Sequence, residues 1–130
     1  MPSIVRLIDI GKLKPHEKIR PVHSHYLQEK IKRDGIFTHP IVVESSTLAI
    51  LDGHHRVAAT KRLGFKKIPA LLVSYKDIEV SLRHHRLPSA LIKKLVLLCV
   101  QNGELLPIKT THHQFAHKKI KTKIDIKKLY

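Results

Sequence analysis

"ILDGHHRVAATKRLG", residues 50–64, passes from a short apolar run into Asp52, Gly53, His54, His55 and Arg56, then into a helix-forming segment stopped by Gly64. The predicted local structure is a strand that delivers Asp52 and Gly53 to a helix over about residues 54–63. The first turn of a helix leaves backbone amides unpaired and carries partial positive charge, so an anion is held there without a dedicated side chain. Gly53 permits close backbone approach to that anion. Arg56 brings a planar fork suited to phosphate oxygens, and His54 and His55 bring further donors. The turn reads as a phosphate cradle. Asp52 would repel phosphate, and two roles fit it: a helix cap, or a carboxylate that holds a bridging magnesium ion or handles a proton.

Working outward, "PIVVE" and "LAIL" flank "SST" as a hairpin, with Pro40 at a strand start. "IVRLIDI" (4–10) and "IPALLV" (68–73) read as further strands. Tyr26, Leu27 and Ile31 fall at helical spacing over residues 24–33, with Ser24 as N-cap and Gly35 beyond the end. Residues 76–83 read as helical, and "SALIKKLVLLCVQNG" as a helix capped by Ser89 and stopped by Gly103. In the tail Ile120, Thr122, Ile124 and Ile126 alternate with charged residues, which suits a strand added late to a sheet or a solvated basic tail. Interspersed strands and short helices without repeats predict one α+β domain over residues 1–130, a small mixed sheet with flanking short helices.

Twenty-five Lys plus Arg against ten Asp plus Glu give a net charge of +15, which predicts an anionic partner: nucleotide, nucleic acid or an acidic surface. High lysine content with one asparagine is also a heat-adapted composition. The single cysteine, Cys99, excludes an internal disulfide and a multi-cysteine zinc site, and its run "LVLLCV" makes it a small core residue. No signal-peptide layout and no membrane-length apolar run are present, so a cytoplasmic location without membrane contact is expected.

"LDGHHRVAATKRLG" resembles the signature of the ParB/sulfiredoxin superfamily, and within it the free serine kinases. "LKPHE" (13–17), "GIFTHPIVV" (35–43) leading into "LDGHHR", and "PIKTTHH" (107–113) carry the match in order along nearly the whole chain. The resemblance implies a ParB/sulfiredoxin-like fold and transfer of the terminal phosphoryl group of ADP or ATP to L-serine, with magnesium, giving phosphoserine for cysteine biosynthesis. It implies Glu17 as the base that activates the serine hydroxyl and Asp52 as a second catalytic carboxylate and magnesium ligand. Gly53, His54, His55 and Arg56 would surround the nucleotide phosphates, and Lys109, Thr110, Thr111 and His113 would hold serine or phosphoserine. His112 stands where the family often has arginine, so a two-pronged contact there is lost. Residues 78–101 hold little more than one helix where larger members carry an inserted subdomain. That implies a compact form, working as a monomer or a homodimer.

Other readings are weaker on chemistry. A sulfiredoxin needs a cysteine where this chain has His54. A ParB-like nucleic-acid-binding protein or nuclease suits the charge, with Lys118, Lys119, Lys121, Lys123, Lys127 and Lys128 in the tail. Three Phe, three Tyr and no Trp argue against a stacking surface, and no helix-turn-helix module follows. The adjacent histidine pairs lack zinc-site spacing, and "RHHR" (83–86) reads as a solvated basic segment.

Overall fold

The computed structural model describes residues 5–83, 86–107, 111–114 and 120–130. Its centre is a mixed four-stranded sheet of β1 (Val5–Asp9), β3 (Ile41–Glu44), β4 (Ile50–Asp52) and β5 (Lys67–Val73), in the order β1-β5-β3-β4. The two middle strands run parallel, from Ile41↔Ala70 to Glu44↔Val73, while β1 pairs antiparallel with β5 and β4 antiparallel with β3. Two ladders outside it are antiparallel: β2 (Ile36–Phe37) with β8 (Ile124–Asp125), and β6 (Glu79–Leu82) with β7 (Thr111–Gln114).

Side-chain alternation along the central strands feeds two cores. Ile41, Val43, Ile50, Ile68 and Ala70 pack with Ile31 of α1 (Pro21–Asp34) and with Val57 and Ala59 of α2 (His54–Arg62). Val42, Leu51 and Leu71 point the other way, toward Val80 of β6 and Ile92 and Val96 of α3 (Ser89–Asn102). The hairpin turn between β3 and β4 is held by the buried Glu44 carboxylate, which accepts from the backbone and hydroxyl groups of Ser46 and Thr47. Burial pushes that carboxyl up, but these hydrogen bonds win and lower it.

Several local expectations give way to tertiary context. The first helix starts at Pro21, three residues before Ser24, because proline is pre-set for the opening turn. Ser24 is then a buried interior residue, donating to Pro21 O and accepting from Arg62 Nη1 at 2.6 Å, so it ties α1 to α2 instead of capping. Tyr26 lies on the exposed side of α1. Residues 76–83 are not helical: a short 3-10 turn, Tyr75–Asp77, leads into β6. Pro88 occupies the N-cap of α3, and Ser89 Oγ accepts from Val80 N. Cys99 is partly buried, and burial raises its thiol. Among the described residues, no helix is long and apolar enough to cross a membrane.

The tail does form a strand, but only over Ile124–Asp125 and against β2, not the central sheet. Thr122 donates its N–H to Thr38 O and its hydroxyl to Phe37 O, and Leu129 O accepts from Lys66 N and Lys67 N. Leu129 is fully buried in the core beneath α1 and α2. Leu129→Ala is expected to lower unfolding free energy by about 2–5 kcal/mol in urea melts, the cost of a large-to-small change in a packed core. A loss below about 0.5 kcal/mol, as on a free surface, would show the tail to be undocked.

Candidate active site

The quoted turn forms as expected, with one change of roles. Gly53 is the N-cap of α2, at φ 108° and ψ 24°. A Cβ there would lie 2.5 Å from Ile41 Cγ2 and 3.1 Å from Arg56 Nη2, so the position needs glycine for its dihedral and for space. Asp52, the last residue of β4, does not cap: its Oδ2 accepts from Arg56 Nη2 at 3.3 Å, one helical turn on. Asp52 is exposed, whereas Arg56 is largely covered and its Nε is buried with no partner among the described residues. Val57 N–H bonds back along the helix to Gly53 O, and the amides before it belong to the first turn, which has no intrahelical acceptor for them.

A second segment, residues 14–20, is held beside β4 and Leu106 by backbone bonds. Lys14 N donates to Leu48 O and Lys14 O accepts from Ile50 N, while His16 and Lys18 exchange bonds with both backbone groups of Leu106. Two histidine rings of α2 complete the clamp. His54 Nε2 accepts from His16 N at 3.1 Å, and His55 Nε2 accepts from Arg20 N at 2.9 Å, with His23 stacked on His55 at 4.4 Å. His54 is therefore a neutral ring with its proton on Nδ1. Burial, and then the proximity of His16, hold it down at about 3 despite the opposing Glu17. The Nε2 atoms of both rings are acceptors that fasten a loop, which leaves Nδ1–H as the donor each ring could offer a phosphate.

The clamped loop presents Glu17, which is 8% exposed. Its Oε2 accepts from Thr111 Oγ1 at 2.8 Å and lies 3.2 Å from His16 Nε2, which is itself 3.1 Å from Thr111 Oγ1. Burial pushes the Glu17 carboxyl up, but the hydrogen bonds from His16 and Thr111, with the fields of His16 and His54, outweigh it and hold the group at about 2. Glu17 is thus a buried, ionised carboxylate and not an exposed loop charge. Thr111 opens β7, where its pairing with Leu82 sets its position. His113, two residues on, shares a 3.0 Å hydrogen bond with Tyr75 Oη and stacks on that ring. Burial chiefly, with His16 next, holds His113 at about 3.

These residues line one cleft of ≈ 220 Å³. Glu17 and Thr111 lie on its wall together with Asp52, Gly53, His54, His55 and Arg56. His113 is set behind that wall, and Lys109 and Thr110 lie outside the described residues. Lys18, His23, Leu27, Leu51 and Arg83 also line the cleft, and His16 lies buried beside it; the sequence motifs do not mark them as site residues. His16 carried a signal, since it stands inside the Lys-Pro-His-Glu block. Arg83 belongs to the segment that reads as merely solvated, and it directly follows β6. Among the described residues, no three His, Cys, Asp or Glu side chains converge as a metal cage. Asp52 alone offers a carboxylate at the turn, which suits a magnesium ion that takes its remaining ligands from water and phosphate.

A strand, a glycine turn and a helix N-terminus facing a polar loop define the cleft of a mixed α/β domain. Residues 4–86 match the ParB N-terminal domain, and the chain belongs to that family. An ATP-dependent L-serine kinase of Staphylothermus marinus is 44% identical over 81 residues, 59% of this chain and 32% of that protein. An ADP-dependent L-serine kinase of Thermococcus kodakarensis is 31% identical over 77 residues, 56% of this chain and 32% of that protein. The chain spans about a third of the length of the curated relatives it matches. A free serine kinase solved in complex with AMP superposes with a TM-score of 0.81 at 16% identity, covering 98% of this chain and 93% of that one, a likeness of fold.

The site makes the protein acid-sensitive. His54 and His113 fall from 6.5 to about 3 on folding, so below 6.5 the unfolded chain binds more protons and stability drops as pH falls toward 3. Glu17, at about 2 against 4.5, adds a loss of the same sign between those values. Urea midpoints measured from about pH 7 to about pH 4 should decline steadily, and a flat profile would contradict the neutral buried rings.

Proposed function

We propose that this chain is a free serine kinase, acting as one domain over its 130 residues, that moves the terminal phosphoryl group of ADP or ATP to the hydroxyl of L-serine. The observation that carries the reading is the shared cleft: an ionised, buried Glu17 beside the Thr111 hydroxyl faces a glycine-capped helix N-terminus with Arg56 alongside. The similarity to L-serine kinases using ATP and ADP supports it. The product is O-phospho-L-serine, which we assign to cysteine biosynthesis in the cytoplasm.

In this reading the nucleotide phosphates lie against the first-turn amides of the Gly53–Arg56 turn, and the Arg56 guanidinium neutralises their charge. Serine lies toward Glu17, held by Thr111 with Lys109 and Thr110, while His113, bonded to Tyr75 Oη, packs against the His16 ring. Asp52 would hold a magnesium ion, which when bound spreads the charge of the transferring group. As the serine oxygen bonds to phosphorus and the bridging P–O bond of the nucleotide breaks, the serine proton passes to Glu17. A carboxylate held at about 2 is ionised at neutral pH and a weak base, so it takes the proton late, which suits a loose phosphoryl-transfer step.

The test is phosphorus NMR of the protein with magnesium, L-serine and either ADP or ATP. Glu17→Gln should lower turnover by about 100-fold or more while nucleotide binding persists. Full turnover in that variant would remove Glu17 as the base, and no phosphoserine from the unaltered protein with either nucleotide would end the kinase reading. By calorimetry, Arg56→Ala should weaken nucleotide binding by about tenfold or more, the worth of a charged hydrogen bond. Equal affinity would place the phosphates elsewhere.

A further inference from the structure

His16 is fully buried, yet it is the residue on which the polar side of the cleft converges. Its N–H is bonded to His54 Nε2, its C=O accepts from Leu106 N at 2.7 Å, and its ring Nε2 reaches both Glu17 and Thr111. The ring is packed edge-on against His54 at 4.7 Å and His113 at 5.8 Å, which restricts its rotation.

We infer that His16 is a positioning residue for Glu17: its Nε2–H directs the Thr111 hydroxyl onto the Glu17 carboxylate and keeps that carboxylate aligned and ionised. The kinetic part of this inference rests on the serine-kinase reading; the electrostatic part does not. A threonine hydroxyl is both donor and acceptor, and its proton rotates to suit its neighbours. With an imidazole N–H donated to Oγ1, the hydroxyl proton turns away toward Glu17 Oε2, the 2.8 Å partner. The two bonds then polarise one another in series. Without the imidazole, the hydroxyl is released from that orientation, and the buried carboxylate loses a direct donor as well. The titratable groups around Glu17 include His16 and His54, with His113 and Tyr75 in the layer behind, Lys18 next along the loop, and His23, Asp52, His55, Arg56 and Arg83 on the walls of the same cleft.

The experiment compares the full chain with His16→Leu, which removes the donor, and His16→Gln, whose side-chain amide can supply an N–H near the imidazole Nε2 position. Glu17 is followed by carbon NMR with labelled glutamate, its signal assigned through Glu17→Gln. In the unaltered protein it should titrate near 2, and in His16→Leu distinctly higher, since the hydrogen bond and the field of His16 are both lost. In the same variant kcat should fall about 10- to 100-fold, the range for removing a group that orients a functional one. The acid limb of its pH profile should move up with Glu17, and the nucleotide KM should hold. His16→Gln should recover most of both effects. An unshifted Glu17 in His16→Leu, or glutamine no better than leucine, would overturn the inference. If His16→Leu does not fold, Thr111→Val decides: a Glu17 that rises from near 2 shows the directed hydroxyl at work, and one that stays near 2 overturns the role. Absence of phosphoserine from the unaltered protein would sink the kinase reading alone, because the titration still reports on His16.

Discussion

The bond from His16 N to His54 Nε2, at 3.1 Å, joins the two segments on which the cleft depends. It is available only if the His54 ring is neutral and turned with Nε2 inward, which burial enforces. Through it the loop that carries Glu17 is held at the start of α2, and the Arg20 to His55 bond repeats the arrangement one residue along the helix. A charged histidine at position 54 would replace that acceptor with a donor and push the loop away. The phosphate-facing amides and the buried carboxylate are thus brought together by two ring nitrogens that contact neither reactant in the proposed scheme.

The sheet supplies the rigid side of the arrangement. Because β3 is covered on both faces, its residues divide between two cores, and the strand–turn–helix unit from β4 to α2 is anchored in both. Gly53 sits against Ile41 of β3 at a distance no side chain could occupy, so the turn is seated on the sheet by contact as well as by its dihedral. Thr111 arrives from the opposite end of the sequence through the β6–β7 ladder, and Glu17 meets it across 94 residues. Burial penalises charge on the rings, which is the source of the expected acid sensitivity, whereas at Glu17 it opposes ionisation and is outweighed by the hydrogen bonds from His16 and Thr111 and the fields of His16 and His54.

Features with a local cause were legible in the sequence. The β3–β4 hairpin, the strand into Asp-Gly, the helix from His54 and the glycine stops at Gly35 and Gly103 all follow from patterning and turn chemistry. Where tertiary contacts compete, local signals misled. Ser24 looks like a cap, but Pro21 opens the helix earlier and Arg62 claims the hydroxyl. Residues 79–82 become a strand because Thr111–Gln114 offers a partner far along the chain. Asp52 looks like a cap as well, but Gly53 occupies the cap and Arg56 takes the carboxylate.

By itself the sequence determined the basic charge, the alternating strands, the glycine at the head of α2 and the blocks that resemble the serine kinases. These depend on residue type and short spacing alone. Only the tertiary structure decided that His54 and His55 are acceptors, that Glu17 is buried and ionised beside Thr111, and that His16 stands between them. Protonation state and hydrogen-bond direction depend on which groups meet across the fold and how far water is excluded from them, and neither is written in the order of neighbouring residues.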